Sequence, residues 1–541
     1  MPQQRLTLPQ LWVLTIAFLT LVIPLLILEY PLLQYSKGTF VYPLDEAYIR
    51  MATARNLAFH ESWSLSGRGF NSASSSILYP VLLAAVYKLF GTHLIFPFLI
   101  NLFAGLICIV VVQRWLFRHG LTAFSQMLIL AAMILLTPFP VLVAEGMEHM
   151  LQVLFTIVFF IRFCGWLATE ERRQSERHAL PWDIYLIGMM MTAIRYEGLF
   201  AVVVAFLALL IKRRLLLCMG FGFVSVLPVV IFGIYSLHHG AYFLPTSLMI
   251  KAIPIPLNGE TMGKFFTNDF FIRIFYPYNT HGAIAATRLL IVLPLLYWLF
   301  LDQMQRQSMY RNLLLFALSL TILHLAFVNV VLFFRYEAYL IACTALIAGM
   351  LIAKKEKIRW PHDGSAARPV AVWTCIILLY PFFSRSWMAY KECGTACMNT
   401  YEQSYQAAVF LHLFYNNDAV VTEDIGTAGY LSNGKKIDLT TGIGYIEIGR
   451  SRIESYDRAE YTGYLVSQEK PALAIVSENR YGHGLLHNWI KVADWYTNNT
   501  TVLRDTHISF YAPDQGSAPS LRDKLKTYEP LLPAAVKTVY Q

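Results

Sequence analysis

Residues 11–28 read LWVLTIAFLTLVIPLLIL, a run of eighteen residues without a charged side chain. A segment of this length and composition can cross the hydrocarbon core of a bilayer. It is too long for the apolar core of a typical signal peptide and lacks a clear small-residue cleavage site. We therefore expect it to remain in the protein as a signal anchor.

Similar apolar segments recur along the chain, which has 541 residues, of which 56% are hydrophobic and 14% charged. An ordinary soluble domain is about 25% charged. A further apolar stretch, residues 77–90, is short enough either to cross or to lie in the membrane interface. We predict a polytopic α-helical membrane protein of about 11–13 spans with a C-terminal α/β domain. The predicted spans are residues 11–30, 93–113, 123–144, 149–168, 182–194, 198–211, 215–236, 286–302, 312–334, 338–353 and 370–384.

Lysine and arginine residues concentrate in the short connections between these spans. Such connections lie on the cytoplasmic side of most membrane proteins. If residues 77–90 do not cross the membrane, all of these basic connections fall on the same side as Arg5. This predicts eleven spans and a cytoplasmic N-terminus. Residues 1–384 then form the membrane domain, and residues 385–541 form a soluble extracytoplasmic domain. The net charge of +9 is explained by topology and does not indicate a nucleic-acid partner.

An acidic pair, Asp45 and Glu46, lies in the predicted first external loop, residues 31–76. Two adjacent carboxylates beside a membrane are costly, because low dielectric and mutual repulsion both penalise the charged form. A carboxylate in this position suits general-base catalysis on a sugar hydroxyl. The alternative is that Asp45 only caps a following helix and that Glu46 only favours the positive end of that helix.

Four further polar clusters emerge on the same predicted side of the membrane. Ionisable groups at membrane depth usually line a cavity or a pathway. We therefore expect a single polar cavity that faces outward. The clusters are Glu145 with Glu148, Arg195 with Glu197, the loop 238–282, and Arg335 with Glu337.

Three cations are candidates for holding a donor phosphate, namely Arg195, Arg335 and Lys251. The arginine fork matches phosphate geometry, whereas lysine acts as a point charge. The alternative for these side chains is interfacial snorkelling or pairing with Glu197 and Glu337.

Glu145 and Glu148 are three residues apart and can share one helix face. They are candidates for positioning a sugar hydroxyl or for holding a divalent cation with Asp45. The alternative is that they cap the span that begins at His149. No dense oxygen-ligand motif supports the cation.

The C-terminal domain shows short apolar strands at residues 419–422, 436–439 and 472–476. Between the first two lies Asp424-Ile425-Gly426-Thr427-Ala428-Gly429-Tyr430, whose glycines allow a tight turn into a helix that Asp424 can cap. We favour this structural role over acceptor binding. Cys393 and Cys397 lie just past the last predicted span, where a local disulfide is one option and a metal site is not expected.

The polar motifs, taken in order, resemble those of the GT-C superfamily of integral-membrane glycosyltransferases that use polyprenyl-phosphate sugars. The likeness is greatest to the bacterial branch that includes the mycobacterial terminal arabinofuranosyltransferases. It departs from that pattern at Glu46, Glu145 and Tyr196, and residues 72–79 lack the usual Ser-Pro. The motifs are Asp45-Glu46-Ala47-Tyr48-Ile49 continuing to Ala54-Arg55-Asn56-Leu57, Glu145-Gly146-Met147-Glu148, Arg195-Tyr196-Glu197-Gly198, Pro245-Thr246-Ser247-Leu248-Met249-Ile250-Lys251, Phe334-Arg335-Tyr336 and Asp424 to Tyr430.

The resemblance implies a GT-C-like fold, a lipid-phosphate sugar donor, an acidic catalytic residue in the first external loop and inversion at the anomeric carbon. Asp45 would be the general base, with Glu46 as its partner. The implied substrate-binding residues are Arg55, Glu145, Glu148, Glu197 and Tyr336.

We therefore expect an inverting glycosyltransferase of the bacterial cytoplasmic membrane that acts on a cell-envelope glycan, glycolipid or protein. A transporter or flippase for a lipid-linked sugar is the alternative, although the inverted repeats typical of transporters are not found. An inactive assembly protein of the same fold is a third reading.

Overall fold

The structure is a computed structural model that describes most of the chain. The described residues are 8–66, 69–172, 179–251, 282–328, 333, 335–354, 367–437, 464, 466–477, 488–498, 501–502 and 505–541.

Helices occupy all eleven predicted spans and the additional stretch 77–90. The predicted span 123–144 is divided, because its first helix ends at Leu136 and a second begins at Phe139, beyond Thr137 and Pro138. The helices of this region are α1 (Leu8–Tyr35), α2 (Asp45–His60), α3 (Leu78–Phe90), α4 (Phe96–Arg118), α5 (Ala123–Leu136), α6 (Phe139–Ala144), α7 (His149–Arg172), α8 (Trp182–Ile194), α9 (Gly198–Ile211), α10 (Leu215–His238), α11 (Thr246–Lys251), α12 (Gly282–Leu299), α13 (Leu301–Arg306), α14 (Ser308–Phe327), α15 (Ala338–Ala353) and α16 (Ala367–Thr400).

Five of these helices are long and apolar enough to cross a membrane, namely α1, α4, α7, α10 and α14. Shorter apolar helices accompany them, among them α8, α9 and α15. The chain is therefore a multi-pass membrane protein, as predicted. The side of the membrane on which each end lies stays a prediction.

The segment after α1 is anchored by Tyr42, which is fully buried. Its hydroxyl donates to the carbonyl of Leu94 at 2.5 Å and accepts from the amide of Phe98 at 3.1 Å. Gly146, with φ of +66°, faces the same ring, and a Cβ there would lie 2.3 Å from a ring carbon. Tyr42 thus fixes the start of α2 beside α4 and beside the turn between α6 and α7.

The last helix of the membrane region, α16, continues well past residue 384 to Thr400. A π-helical turn (Tyr401–Tyr405) and helix α17 (Gln406–Phe414) then lead into the C-terminal domain. The predicted boundary at 384/385 falls inside α16, and the division into domains stays a prediction.

Cys393 and Cys397 are buried free thiols in α16, so the disulfide option is wrong. Residues four apart on a helix have Cβ atoms about 5–6 Å apart. A disulfide needs a Cβ–Cβ distance of about 3.5–4.5 Å. The sequence reading had placed these cysteines beyond the last span and had not anticipated the helix.

The C-terminal domain contains a six-stranded mixed sheet in the order β2-β1-β3-β5-β4-β6. The three strands expected from the sequence are confirmed as β1, β2 and β3, which pair in parallel, and the others pair antiparallel. Phe410, Trp495, Phe510 and Tyr528 fill its core. The strands are β1 (Val420–Thr422), β2 (Lys436–Ile437), β3 (Leu473–Val476), β4 (Ile490–Tyr496), β5 (His507–Ala512) and β6 (Lys537–Tyr540), with helix α18 (Ile425–Leu431) after β1 and α19 (Ala518–Tyr528) after β5.

Helix α18 packs directly on α2, which joins the sheet domain to the membrane region. Its glycines permit the close approach. A Cβ on Gly426 would lie 2.3 Å from the carbonyl oxygen of Asp45 and 2.6 Å from the amide nitrogen of Ile49, and one on Gly429 would lie 3.0 Å from the carbonyl oxygen of Leu65. The structural role of this motif is therefore to let two backbones touch.

Gly426→Ala should loosen this contact, because the atoms it would strike are backbone atoms that cannot move aside cheaply. Overpacking of this kind costs about 1–3 kcal/mol, so limited proteolysis between the two regions should become roughly tenfold faster. Gly516→Ala is the matched control in the same domain, since its Cβ would come no closer than 3.3 Å to the side-chain oxygen of Asp514. Equal cleavage rates for the two variants would contradict the role of Gly426.

Candidate functional site

Asp45, the first residue of α2, binds the N-terminus of α18 with its side chain. Its Oδ2 accepts a hydrogen bond from the amide of Gly426 at 2.9 Å, and its Oδ1 accepts from the amide and the hydroxyl of Thr427, both at 2.7 Å. Asp45 therefore caps α18 and not α2, whose capping position is occupied by Leu44. Asp424, expected to cap α18, makes no capping bond and accepts from the Ser404 hydroxyl at 2.6 Å.

The environment of Asp45 shifts its pKa toward neutrality. Loss of water around the carboxyl group raises the pKa to about 7, and the nearby Asp424 carboxylate adds to the rise. The hydrogen bonds from Thr427 and Gly426 act in the opposite direction. A carboxylate with a pKa near the working pH is suited to accept a proton in catalysis.

Beneath the start of α2, a buried chain of alternating charges joins three segments that are far apart in sequence. Arg50 Nη2 donates to Glu148 Oε1 at 2.8 Å, and Arg50 Nε also contacts this carboxylate. Arg195 Nη1 donates to the same Oε1 at 2.8 Å. Arg195 also donates two hydrogen bonds to the Glu197 carboxylate, from Nε at 3.0 Å and from Nη2 at 2.5 Å. Although burial acts to raise it, the two arginines hold the pKa of Glu148 well below its usual range.

Arg335 and Tyr336 extend this group toward Glu46. Arg335 Nη2 lies 3.2 Å from Glu46 Oε2, and the Glu46 side chain is 25% exposed. The guanidinium groups of Arg195 and Arg335 both lie over the ring of Tyr336, with Cζ atoms 4.6 and 5.2 Å from its centroid. Glu46 is thus the carboxylate of this group that reaches solvent, whereas the side chains of Arg50, Arg195 and Arg335 are all buried.

Glu145 is fully buried, and neither of its carboxylate oxygens forms a hydrogen bond with any residue that the structure describes. Burial raises its pKa to about 8, although Arg335 acts to lower it. This shift favours the protonated, neutral form of Glu145. A protonated carboxyl group offers a hydrogen-bond donor, which a carboxylate does not.

Of the predicted site residues, direct contacts join Glu46, Glu148, Arg195, Glu197, Arg335 and Tyr336, with Glu145 close to them, whereas the Asp45 side chain faces α18. Arg55 lies farther along α2 and donates to the carbonyls of Tyr430 at 2.5 Å and Gly429 at 3.2 Å, at the C-terminus of α18. Lys251 ends α11, and its side chain, like most of the loop 238–282, lies outside the described residues. Glu337 adjoins the group and pairs with Arg385 at 2.9 Å, both side chains being fully buried.

Sequence reasoning missed Arg50, Arg385 and the role of Thr427. A signal for Arg50 was present, since it follows Glu46 by four residues and so lies on the same face of a helix. Arg385 fell one residue beyond the predicted end of the last span. Nothing in the local sequence of Thr427 indicates a partner 382 residues away.

The part of the chain that the structure describes contains no group of three or more His, Cys, Asp or Glu residues arranged to hold a metal ion. Glu148 is engaged by Arg50 and Arg195, and Asp45 by backbone amides. The arrangement provides Asp45, a carboxylate of near-neutral pKa at the first residue of α2, and a fixed set of guanidinium groups that reaches the next residue, Glu46, through Arg335. The carboxylate of Asp45 can accept a proton, and the guanidinium groups can stabilise an anion.

Comparisons with known proteins match this fold. The chain is similar over 94% of its length, and over 99% of the other chain, to the crystal structure of ArnT from Cupriavidus metallidurans bound to undecaprenyl phosphate, with 14% identity and a TM-score of 0.52. Lower scores are found for the apo state of that protein (12% identity, 92% and 98% covered, TM-score 0.49) and for the apo oligosaccharyltransferase of Archaeoglobus fulgidus (12% identity, 94% and 74% covered, TM-score 0.48).

The likeness to the first of these structures confirms the predicted GT-C-like fold. These three structures do not belong to the mycobacterial branch, so the closer likeness to that branch stays a prediction. A family model described as a domain of unknown function, DUF8728, matches residues 395–511. No curated protein matches the chain.

Proposed function

We propose that this multi-pass membrane protein with a GT-C-like fold is an inverting glycosyltransferase that uses a polyprenyl-phosphate sugar. The observation that carries the proposal is the convergence of Asp45, Glu46, Glu148, Arg195 and Arg335 at the start of α2. ArnT, whose fold this chain shares, has been crystallised with undecaprenyl phosphate. A lipid phosphate of that kind is the leaving group that the proposed reaction requires.

In the proposed reaction, an acceptor hydroxyl oxygen attacks the anomeric carbon of the donor sugar and loses its proton to Asp45. The bond between that carbon and the phosphate oxygen breaks, and polyprenyl phosphate leaves. An ionised carboxylate offers about four lone pairs, and the hydrogen bonds from Gly426 and Thr427 occupy three of them. The remaining lone pair on Oδ2 is the one that receives the proton.

The donor phosphate is expected to meet Arg335 first. Arg335 contacts Glu46, which is partly exposed, whereas Arg195 is held by two buried carboxylates. A phosphate that approaches from solvent therefore competes with Glu46 for the Arg335 fork, which matches phosphate geometry. Glu148 and Glu197 act on the substrate indirectly, by fixing Arg50 and Arg195.

The test of this function is turnover by the purified full-length protein. Undecaprenyl-phosphate-linked pentoses, hexoses and aminosugars would be supplied one at a time, and release of undecaprenyl phosphate would be followed. Release with at least one of these donors is the expected result. Movement of labelled donor across vesicle membranes, with no release from any donor, would instead establish a transporter.

The rate of transfer should rise with pH through about 7. A general base acts only when deprotonated, so the acidic limb of the kcat/KM profile should follow the pKa of Asp45. Thr427→Val removes a hydrogen bond that lowers this pKa and should move the limb to higher pH. A limb that stays in place in Thr427→Val would assign the titration to a group other than Asp45.

A further inference from the structure

A second pocket, of about 690 Å³, lies between the C-terminal half of α4 and the later turns of α7. The candidate site lies at the opposite ends of the same two helices, where Phe98 contacts Tyr42 and Glu148 directly precedes α7. From His149 to Trp166, which lines the pocket, the helix rises about 25 Å at 1.5 Å per residue. The pocket is therefore separate from the candidate site.

One face of each helix lines this pocket, because the lining residues recur at intervals of three and four. Val111, Val158 and Ile161 form an apolar part of its wall, and Arg114, Arg118 and Arg162 form a basic part, with Trp115 and Trp166 among the lining residues.

The positive charge in this pocket is only partly balanced. Arg162 Nε donates to Asp183 Oδ2 at 2.7 Å. Arg114 and Arg118 are exposed, and neither forms an ion pair with any described residue.

The acidic residues near the end of α7 are already engaged by other cations. Glu170 pairs with Arg214, and Glu171 lies 2.7 Å from both Lys212 Nζ and Arg311 Nη2. Two arginines thus remain available for an anionic ligand beside an apolar channel between membrane helices.

We propose that this pocket binds an anionic phospholipid, with the headgroup phosphate between Arg114 and Arg118 and an acyl chain along Val111, Val158 and Ile161. Basic pockets between membrane helices bind anionic headgroups because each arginine attracts the lipid phosphate electrostatically. Tryptophans at this level are typical of the membrane interface, where one edge of the ring is apolar and the other polar. A free phosphate has no apolar part that could contact the apolar wall.

The test is lipid retention by the full-length protein in detergent, measured by native mass spectrometry with phosphatidylglycerol or phosphatidylcholine. The wild type should retain phosphatidylglycerol at least tenfold better than phosphatidylcholine. Arg114→Gln/Arg118→Gln should weaken this retention roughly 30-fold. The matched control, Arg172→Gln/Arg213→Gln, removes two exposed arginines that do not line the pocket and should retain the lipid as the wild type does.

A steric variant tests the same site without altering charge. A Cβ on Gly165 meets nothing within 4 Å, so Gly165→Leu projects into the pocket and should reduce retention while the protein stays monodisperse. Equal loss of phosphatidylglycerol in the control and the pocket variants would overturn the proposal. So would displacement of the lipid by millimolar inorganic phosphate, which would identify a free phosphate as the ligand.

Discussion

Replacing Asp45 with asparagine should slow the release of polyprenyl phosphate by about 10²- to 10⁴-fold, the usual contribution of a general base. Asparagine keeps the shape of the side chain but cannot take the proton of the acceptor hydroxyl. Its amide oxygen can still accept from Thr427, which donates through both its amide and its hydroxyl. Steady-state release from a lipid-linked sugar donor measures the effect.

The control must separate proton transfer from domain docking, since Asp45 also holds α18. Thr427→Val weakens that contact but leaves the carboxylate, so above its shifted pKa it should retain most of the activity. Limited proteolysis should show the sheet domain docked in both variants. If Asp45→Asn releases polyprenyl phosphate within threefold of the wild-type rate, Asp45 serves only to dock the sheet domain.

Replacing Glu148 with glutamine should destabilise the folded protein by about 3–5 kcal/mol, the cost of breaking a buried ion pair from one side. Glu148 is fully buried and bound by two arginines. Without its charge, Arg195 keeps Glu197, whereas the partners that Arg50 keeps among the described residues are the carbonyl of Glu46 and the hydroxyl of Ser75. The midpoint of thermal unfolding in detergent should fall by roughly 3–4 °C.

Glu171→Gln is the matched control for this effect. Glu171 also contacts two cations, but its partners Lys212 and Arg311 have side chains that are 38% and 36% exposed. Exposed pairs of this kind contribute about 0–1 kcal/mol, so the midpoint should move by about 1 °C or less. Equal midpoints for the two variants would show that the charge of Glu148 is not needed to balance the buried charges of Arg50 and Arg195.

The helical organisation was largely accessible from sequence, because hydropathy is a local property. Each predicted span contains helix, and the strands β1, β2 and β3 lie where expected. The differences between prediction and structure lie at the ends of the helices. α16 runs sixteen residues past the predicted end of its span, because the polar residues beyond residue 384 pack inside the protein and not against lipid. Hydropathy alone does not distinguish these two environments.

The sequence predicts that the polar clusters converge, and contacts of Glu148 with Arg195 and of Glu46 with Arg335 show that these clusters meet. The single outward-facing cavity and the roles of its residues stay predictions. The alternative for the arginines, pairing with a glutamate close in sequence, is found for Arg195 with Glu197. Arg335 instead contacts Glu46, while Glu337 binds Arg385.

Sequence by itself determined that the chain crosses a membrane many times and carries its acidic and basic motifs in an order resembling that of GT-C enzymes. Only the tertiary structure decided that Asp45 and Arg55 hold the two ends of α18, and that Arg50 completes the charge network. The reason is physical. Helix formation and membrane insertion depend on side chains within a few turns. The partner of a buried charge depends on which residues the packing brings into contact with it, here up to 382 residues away.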